Sequence, residues 1–351
     1  MQTYNIFTNQ PDTLPEGKAD FILAASVTHT CTIPGITQAG IPGMIPLTPT
    51  LDAEYITHEK VFSLGELAET PTGVPSPALI TRASHNCNNF ATIEIFNLGL
   101  EKEPQQTLLH SFGIQPSGAI NQGAGIDAPA LFAKGQAAGR AYELKGNYLI
   151  LAESTPAGTT TAAASALALG FDVANDFSSS FKDVPKSIKE QTIEEALTLT
   201  TPDMSNFEKL GIVSDNMLIF CAGFLLEASK RFHVVLAGGT QMAALLLIAD
   251  KLREDLLMRI NHNNVTLATT AWVANDPHAN IAHILQQLSY TPHALYTTFS
   301  FADTEIPVLT KYDEGEAKEG VGAGAALAYA HRQKTTNSEL LKQIELLLYS
   351  M

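Results

Sequence analysis

The chain has 351 residues, 45% of them hydrophobic and 16% charged, a balance that argues against a disordered polypeptide and allows one large α/β domain. Its formal net charge of -15 argues against a general nucleic-acid or anionic-membrane surface, because those partners are held by excess Lys and Arg. Any phosphate it binds must be gripped locally, by backbone N–H groups and one or two cations.

Short apolar runs alternate with amphipathic or alanine-rich segments, the pattern of a Rossmann-like, doubly wound, mainly parallel α/β sheet covered by helices. The first predicted strand is Ala19–Ser26. From 32 to 77 the chain is rich in Pro, Gly and Thr and is expected to wrap over the surface in turns and extended pieces. A strand over Ala78–Ser84 and a helix over Ala128–Glu143 follow. Strand Asn147–Glu153 leads into helix Thr160–Leu169, then helices Ile193–Leu199 and Met217–Lys230. Strand Phe232–Gly239, helix Thr240–Glu254, strand Val265–Val273, helix Asn280–Leu288 and strand Ala294–Phe301 continue the alternation. Helices Gly324–Arg332 and Ser338–Tyr349 close it. The expected organisation is one catalytic domain over 20–325, with 1–19 and 326–351 as terminal elements forming a small helical accessory region.

Three glycine-bearing turns stand before helices: Glu153-Ser154-Thr155-Pro156-Ala157-Gly158-Thr159-Thr160-Thr161, Leu236-Ala237-Gly238-Gly239-Thr240-Gln241 and Glu319-Gly320-Val321-Gly322-Ala323-Gly324. Free N–H groups and the positive end of the dipole make a helix N-terminus attractive to anions, and glycine lets a phosphate approach the backbone. In open α/β sheets such turns gather at the carboxyl ends of the strands. Plain helix capping is the competing explanation for each turn alone. None contains GxxxxGK[ST], which removes the main support for nucleoside triphosphate hydrolysis, and the third does not complete GxGxxG. Glu153 and Glu319 stand at the turn edges. Carboxylates do not bind phosphate, so these two either hold sugar hydroxyls, take a proton, or merely favour a helix start.

Several ordered motifs resemble the nicotinate-nucleotide:dimethylbenzimidazole phosphoribosyltransferase family, in its archaeal and cyanobacterial branch. They are IPG at Ile33–Gly35, TPTLDAEY at Thr48–Tyr55, GVPSPALITRA at Gly73–Ala83, ESTPAGTTTA from Glu153, SSS at Ser178–Ser180, LAGGTQM at Leu236–Met242 and KEGVGAG at Lys318–Gly324. The resemblance implies transfer of a phosphoribosyl group from nicotinate mononucleotide to a benzimidazole- or purine-type base, giving an α-ribotide for the lower ligand of cobamides such as vitamin B12. It implies no metal and no cofactor beyond the donor nucleotide, small-molecule partners only, and a homodimer. Matched motif to motif, Glu319 takes the place of the catalytic carboxylate, Glu153 that of the acid near the ribose, and Gly238 and Gly239 that of the glycine pair near the phosphate. Gly158, Thr159, Thr160, Ser178, Ser179, Ser180, Thr240, Gly320 and Gly322 complete the expected substrate-binding set. Of Lys182, Lys186 and Lys189, which follow SSS, Lys189 is the choice for the phosphate cation.

Two departures bear on that site: PAG where many relatives read PGG, so that a positive φ at Ala157 would be awkward, and Ser214-Asp215-Asn216-Met217 where they usually read GDPM. Alternatives stay open: a non-catalytic nucleotide-binding protein, or a phosphoribosyltransferase with another donor or heterocycle. A diphosphate donor is disfavoured, because Val235-Leu236-Ala237 precedes the glycine-threonine turn where such enzymes carry an acidic pair.

Other features are read conservatively. Cys31, Cys87 and Cys221 are widely spaced, as in a reducing compartment, and His29 with Cys31 has no orienting acid in sequence view. Residues 85–89, HNCNN, read as a polar turn rather than part of a base pocket. His262, His278, His283 and His293 form no HExxH pattern. The acidic stretch Asp313–Glu316 reads as a solvated loop, a lid if it moves. No secretory signal opens the chain and the apolar run from Met217 is too short to span a bilayer, so the expected location is the cytoplasm.

Overall fold

The computed structural model describes residues 1–182 and 186–350. Its centre is an eight-stranded sheet of β1 (Gln2–Asn5), β2 (Ala19–Ala25), β3 (Thr92–Asn97), β4 (Leu109–Ser111), β5 (Tyr148–Ser154), β6 (Val234–Ala237), β7 (Val265–Thr270) and β8 (His293–Thr298). The spatial order is β1-β8-β7-β6-β5-β2-β3-β4, and every pair is parallel except β1 with β8. The central strands β2 and β5 are buried at every position, as their unbroken apolar runs require when helices cover both faces.

The helices are α1 (Thr48–His58), α2 (Ala78–Cys87), α3 (Ala128–Ala141), α4 (Gly158–Ala168), α5 (Lys186–Thr198), α6 (Asn206–Val213), α7 (Asn216–Ala228), α8 (Thr240–Asp255), α9 (Ala271–Ala274), α10 (Ile281–Gln286), α11 (Thr310–Asp313), α12 (Ala323–Arg332) and α13 (Asn337–Tyr349). One face of the sheet shares a core with α3, α4, α7 and α8, the other with α1, α2, α12 and α13. On the first face α3 and α7 meet backbone to backbone: a Cβ on Gly135 would lie 2.0 Å from the Phe220 carbonyl oxygen, and one on Gly223 2.2 Å from that of Phe132.

The chain runs outward in one direction from β2 to β4 and in the other from β5 to β8, so the winding reverses between β2 and β5. Ligand crevices in such sheets open at the carboxyl ends of the strands flanking this reversal.

Two expectations change. Residues 78–84 form α2 and not a strand: a short apolar run carries no decisive period, and here it is buried nearly all round because α2 packs against the sheet, α12 and α13. The 32–77 segment is more than a surface wrap, since it contains α1, buried from Thr48 to Ile56. At the chain ends β1 extends the sheet and α12 packs under β6, β7 and β8. Strands β1, β3 and β4 and helices α6, α9 and α11 are additions to the sequence-based set, α9 taking the end of the expected strand Val265–Val273. No helix among the described residues is long and apolar enough to cross a membrane.

Candidate functional site

A cleft opens at the carboxyl ends of β5, β6 and β7, enclosing about 970 Å³ out to the solvent at its mouth. The three glycine turns meet there, although 83 residues separate each from the next at their leading positions Glu153, Leu236 and Glu319. Gly158, Thr159, Ser178, Ser179, Ser180, Gly239, Thr240, Glu153, Glu319 and Gly320 all line it. Thr160, Lys189, Gly238 and Gly322 do not. Thr160 is turned into the protein by the helical rotation of α4, Gly238 lies against Met242, and Gly322 packs on Ala152, Phe21 and Ala237.

Glu319 is held by four donors. Its Oε1 accepts from the N–H groups of Gly324 (3.0 Å) and Gly320 (3.2 Å), and its Oε2 from Thr270 N–H (2.9 Å) and Thr269 Oγ1 (3.1 Å). A Cβ on Gly324 would stand 2.6 Å from that Oε2 and 2.2 Å from the Thr269 carbonyl carbon, so only glycine admits this arrangement. Burial pushes the Glu319 carboxyl up to about 7 against the pull of these hydrogen bonds.

Glu153, at the end of β5, is 6% exposed and accepts one hydrogen bond, from Thr155 N–H at 3.0 Å. Burial, then the nearby Glu319, raises it to about 8. The glycine pair separates the two acids: a Cβ on Gly238 would be 3.8 Å from Glu153 Cγ, and one on Gly239 3.7 Å from Glu319 Cβ.

The loop bearing Glu319 is strained. Ala317, Gly320, Val321 and Gly322 all have positive φ, and for β-branched Val321, at +52°, this is a sterically disfavoured conformation. The loop is latched by Val321 N–H to the Glu153 carbonyl (2.9 Å) and by Thr81 Oγ1 to the Val321 carbonyl (2.8 Å). Ala157 adopts φ +63° at the start of α4, so the PAG turn keeps a left-handed conformation despite its methyl.

Two buried lysines lie near the Ser178–Ser180 run, of which Lys318 lines the cleft. Lys189 is 5% exposed and donates to the Ser178 carbonyl (3.0 Å) and Thr159 Oγ1 (3.2 Å), and burial brings its ammonium down to about 8. Lys318 is 4% exposed and pairs with Asp276 at 2.7 Å. Asp276 also accepts from Ser178 Oγ at 2.7 Å, and these partners outweigh burial to hold its carboxyl below the usual range. Ser178 N–H donates to Thr240 Oγ1 at 3.2 Å, tying the cluster to the start of α8. The starts of α4 and α8 and Lys318 thus stand at the cleft, with Lys189 buried behind Thr159 and Ser178.

Lys182 lies apart, exposed and paired with Glu314 at 3.2 Å. The Lys186 side chain falls outside the described residues. Sequence reasoning overlooked Lys318 and Asp276, although Lys318 directly precedes Glu319. It also overlooked Asp52, a buried cleft residue inside the TPTLDAEY motif, and Gln241, whose Nε2 makes no hydrogen bond among the described residues.

Other candidates find structural places. His85 ends α2, its Nδ1 accepting from Phe90 N–H, and burial lowers it to about 4. Cys31 is buried and its thiol is pushed up to about 12, the opposite of an activated nucleophile. Asn216 donates to the Leu98 and Gln115 carbonyls and Asp215 caps α7, so the departure at 214–217 builds a scaffold joint. The acidic stretch is tied down, with Asp313 accepting from Trp272, Ser300 and Phe301.

No family model matches the chain. The UPF0284 protein of Sulfolobus acidocaldarius is 35% identical over 332 residues, 94% of each chain, and that of Sulfurisphaera tokodaii is 32% identical over 343 residues, 97% of this chain and 96% of its own. The chain belongs to the UPF0284 family. Among solved structures, this UPF0284 fold is similar to the nicotinate-nucleotide-dimethylbenzimidazole phosphoribosyltransferase of Thermus thermophilus, with a TM-score of 0.59, 17% identity, and coverage of 96% of this chain and 84% of that one. A structure of CobT from the same organism gives a TM-score of 0.58 at 17% identity, covering 95% and 85%. At this identity the likeness establishes the shared fold, a mostly parallel sheet flanked by helices.

Proposed function

We propose that the protein transfers a phosphoribosyl group from nicotinate mononucleotide to a benzimidazole- or purine-type base, yielding an α-ribotide and free nicotinate. The support is one juxtaposition: a cleft lined by Glu319 and Glu153 together with Lys318 and the starts of α4 and α8, with Lys189 buried behind Thr159 and Ser178. The likeness in fold to a phosphoribosyltransferase of that named class agrees with it.

In this reading the 5'-phosphate rests on the starts of α4 and α8 beside the two lysines, which makes it the handle that orients the ribose. Glu153, largely protonated at neutral pH, stays neutral near the sugar, where it donates or accepts a hydrogen bond without adding charge. The bond from C1' to the nicotinate nitrogen breaks and its electron pair neutralises the pyridinium. A bond from C1' to the attacking base nitrogen forms on the opposite face, which inverts the anomeric centre. The proton lost by that azole goes to Glu319, whose carboxyl titrates near the operating pH, as a general base requires. Fixing both reactants in line contributes several kcal/mol, on the order of that known for oriented intramolecular reactions.

The test is nicotinate release from nicotinate mononucleotide by the purified protein with adenine, with 5,6-dimethylbenzimidazole and with no base, alongside Glu319→Gln. Base-dependent release that the substitution abolishes is the expected result. A folded protein that releases nothing with any base would reject the reading.

A further inference from the structure

The proposed transfer leaves one buried acid of the cleft without a task. Asp52 projects from α1 into the wall of the cleft and is 2% exposed. Its Oδ1 accepts from Ser76 Oγ at 2.6 Å and its Oδ2 from Ser154 Oγ at 2.7 Å, so segments before α2 and at the end of β5 jointly fix its plane. No lysine or arginine pairs with it among the described residues. A buried carboxylate with only two hydroxyl partners is a costly feature that an apolar residue would avoid. Each of its oxygens retains a lone pair.

The surroundings share this character. Thr48, Thr70 and Ser76 line the same wall, and exposed Glu69 stands at its rim. This wall carries Asp52 of α1 and the segment before α2, with no lysine or arginine among the described residues, whereas Lys318 and the starts of α4 and α8 line the rest of the cleft. An anionic group is therefore drawn to one side, and an N–H-bearing, uncharged group to the other.

Resting on the proposed transfer, we propose that Asp52 selects the acceptor by taking a hydrogen bond from an N–H on the base's outer edge, so that the preferred acceptor is an amino-substituted, purine-sized heterocycle. A dimethylated benzimidazole would set methyl groups against this carboxylate and leave its remaining lone pairs without a donor.

The experiment compares wild type and Asp52→Asn with adenine and 5,6-dimethylbenzimidazole, reading both kcat/KM for nicotinate release and direct calorimetric binding of each base. Wild type should favour adenine by about 10-fold or more, and Asp52→Asn should erase most of that preference through KM and Kd for the base. Ser76→Ala, which removes one orienting hydroxyl and spares the acid, should move the ratio the same way by less, and it covers the case in which Asp52→Asn misfolds. Equal or better use of dimethylbenzimidazole by wild type, or an equal loss on both bases in the variants, overturns the proposal. If no base supports release, the transfer itself fails, and the binding ratios still decide the role of Asp52.

Discussion

Gly158 offers a test of how the cleft is packed that does not depend on any assay of activity. A methyl added there would lie 2.2 Å from Gln241 Nε2 and 2.3 Å from its Oε1, so the amide must retreat by roughly 1 Å to reach ordinary contact. Gln241 is 4% exposed and lines the cleft, which is the direction left open to it. Overpacking of this kind costs about 1–3 kcal/mol, whereas replacing a helical glycine by alanine gains up to about 1 kcal/mol. Gly158→Ala alone should therefore lose about 1 kcal/mol. In a Gln241→Ala background the clash is gone, and the same change should gain about 0.5 kcal/mol. The coupling of about 1.5 kcal/mol would be read from urea unfolding of the four proteins of the cycle. Effects that add to within about 0.5 kcal/mol, or a stabilising Gly158→Ala in the wild-type background, would falsify the packing argument.

Three further outcomes are expected. Because Glu319 must be ionised to take a proton and burial lifts it to about 7, base-dependent nicotinate release should climb as pH rises through about 7; Glu319→Gln should lose about 100-fold or more and show no such climb, as pH–rate profiles would reveal. Glu153 titrates near 8 when folded and near 4.3 when unfolded, so its contribution to stability is whole below about pH 4 and fades as pH rises towards 8. Glu153→Gln should flatten the fall in unfolding free energy between pH 5 and pH 8 by on the order of 2 kcal/mol, measured by denaturant titration at both pH values; an unchanged slope would count against a buried, protonated acid. Gly223→Ala would place a methyl 2.2 Å from the Phe132 carbonyl oxygen and force α3 and α7 apart, at a cost of about 2 kcal/mol or more in thermal or chemical unfolding, while the same change at exposed Gly170, where φ is +90°, tests backbone strain alone.

Much of the fold is written in local pattern. The apolar runs of β2 and β5 and the alanine-rich α4 and α8 specify a parallel sheet covered on both faces, because only strands buried on both sides dispense with alternation. The strand-turn-helix junctions at Glu153, Gly238 and Glu319 were legible for the same reason: glycine and threonine mark where a strand yields to a helix. Residues 78–84 were not, since a buried helix and a buried strand of that length have the same composition. Nor was β3, where Glu94 interrupts TIEIFN and is buried only because His110 and Lys145 reach it from elsewhere in the chain.

The sequence by itself determined which turns could hold an anion and which acids stood beside them. Tertiary structure alone decided that Lys318 pairs with Asp276 next to Lys189, that Thr269 and Thr270 complete the grip on Glu319, and that Asp52 faces the same cleft from α1. Those contacts join residues 42, 50 and more than 100 positions apart. Local spacing carries no trace of them, because the reversal of winding between β2 and β5 is what folds these distant carboxyl ends onto one another.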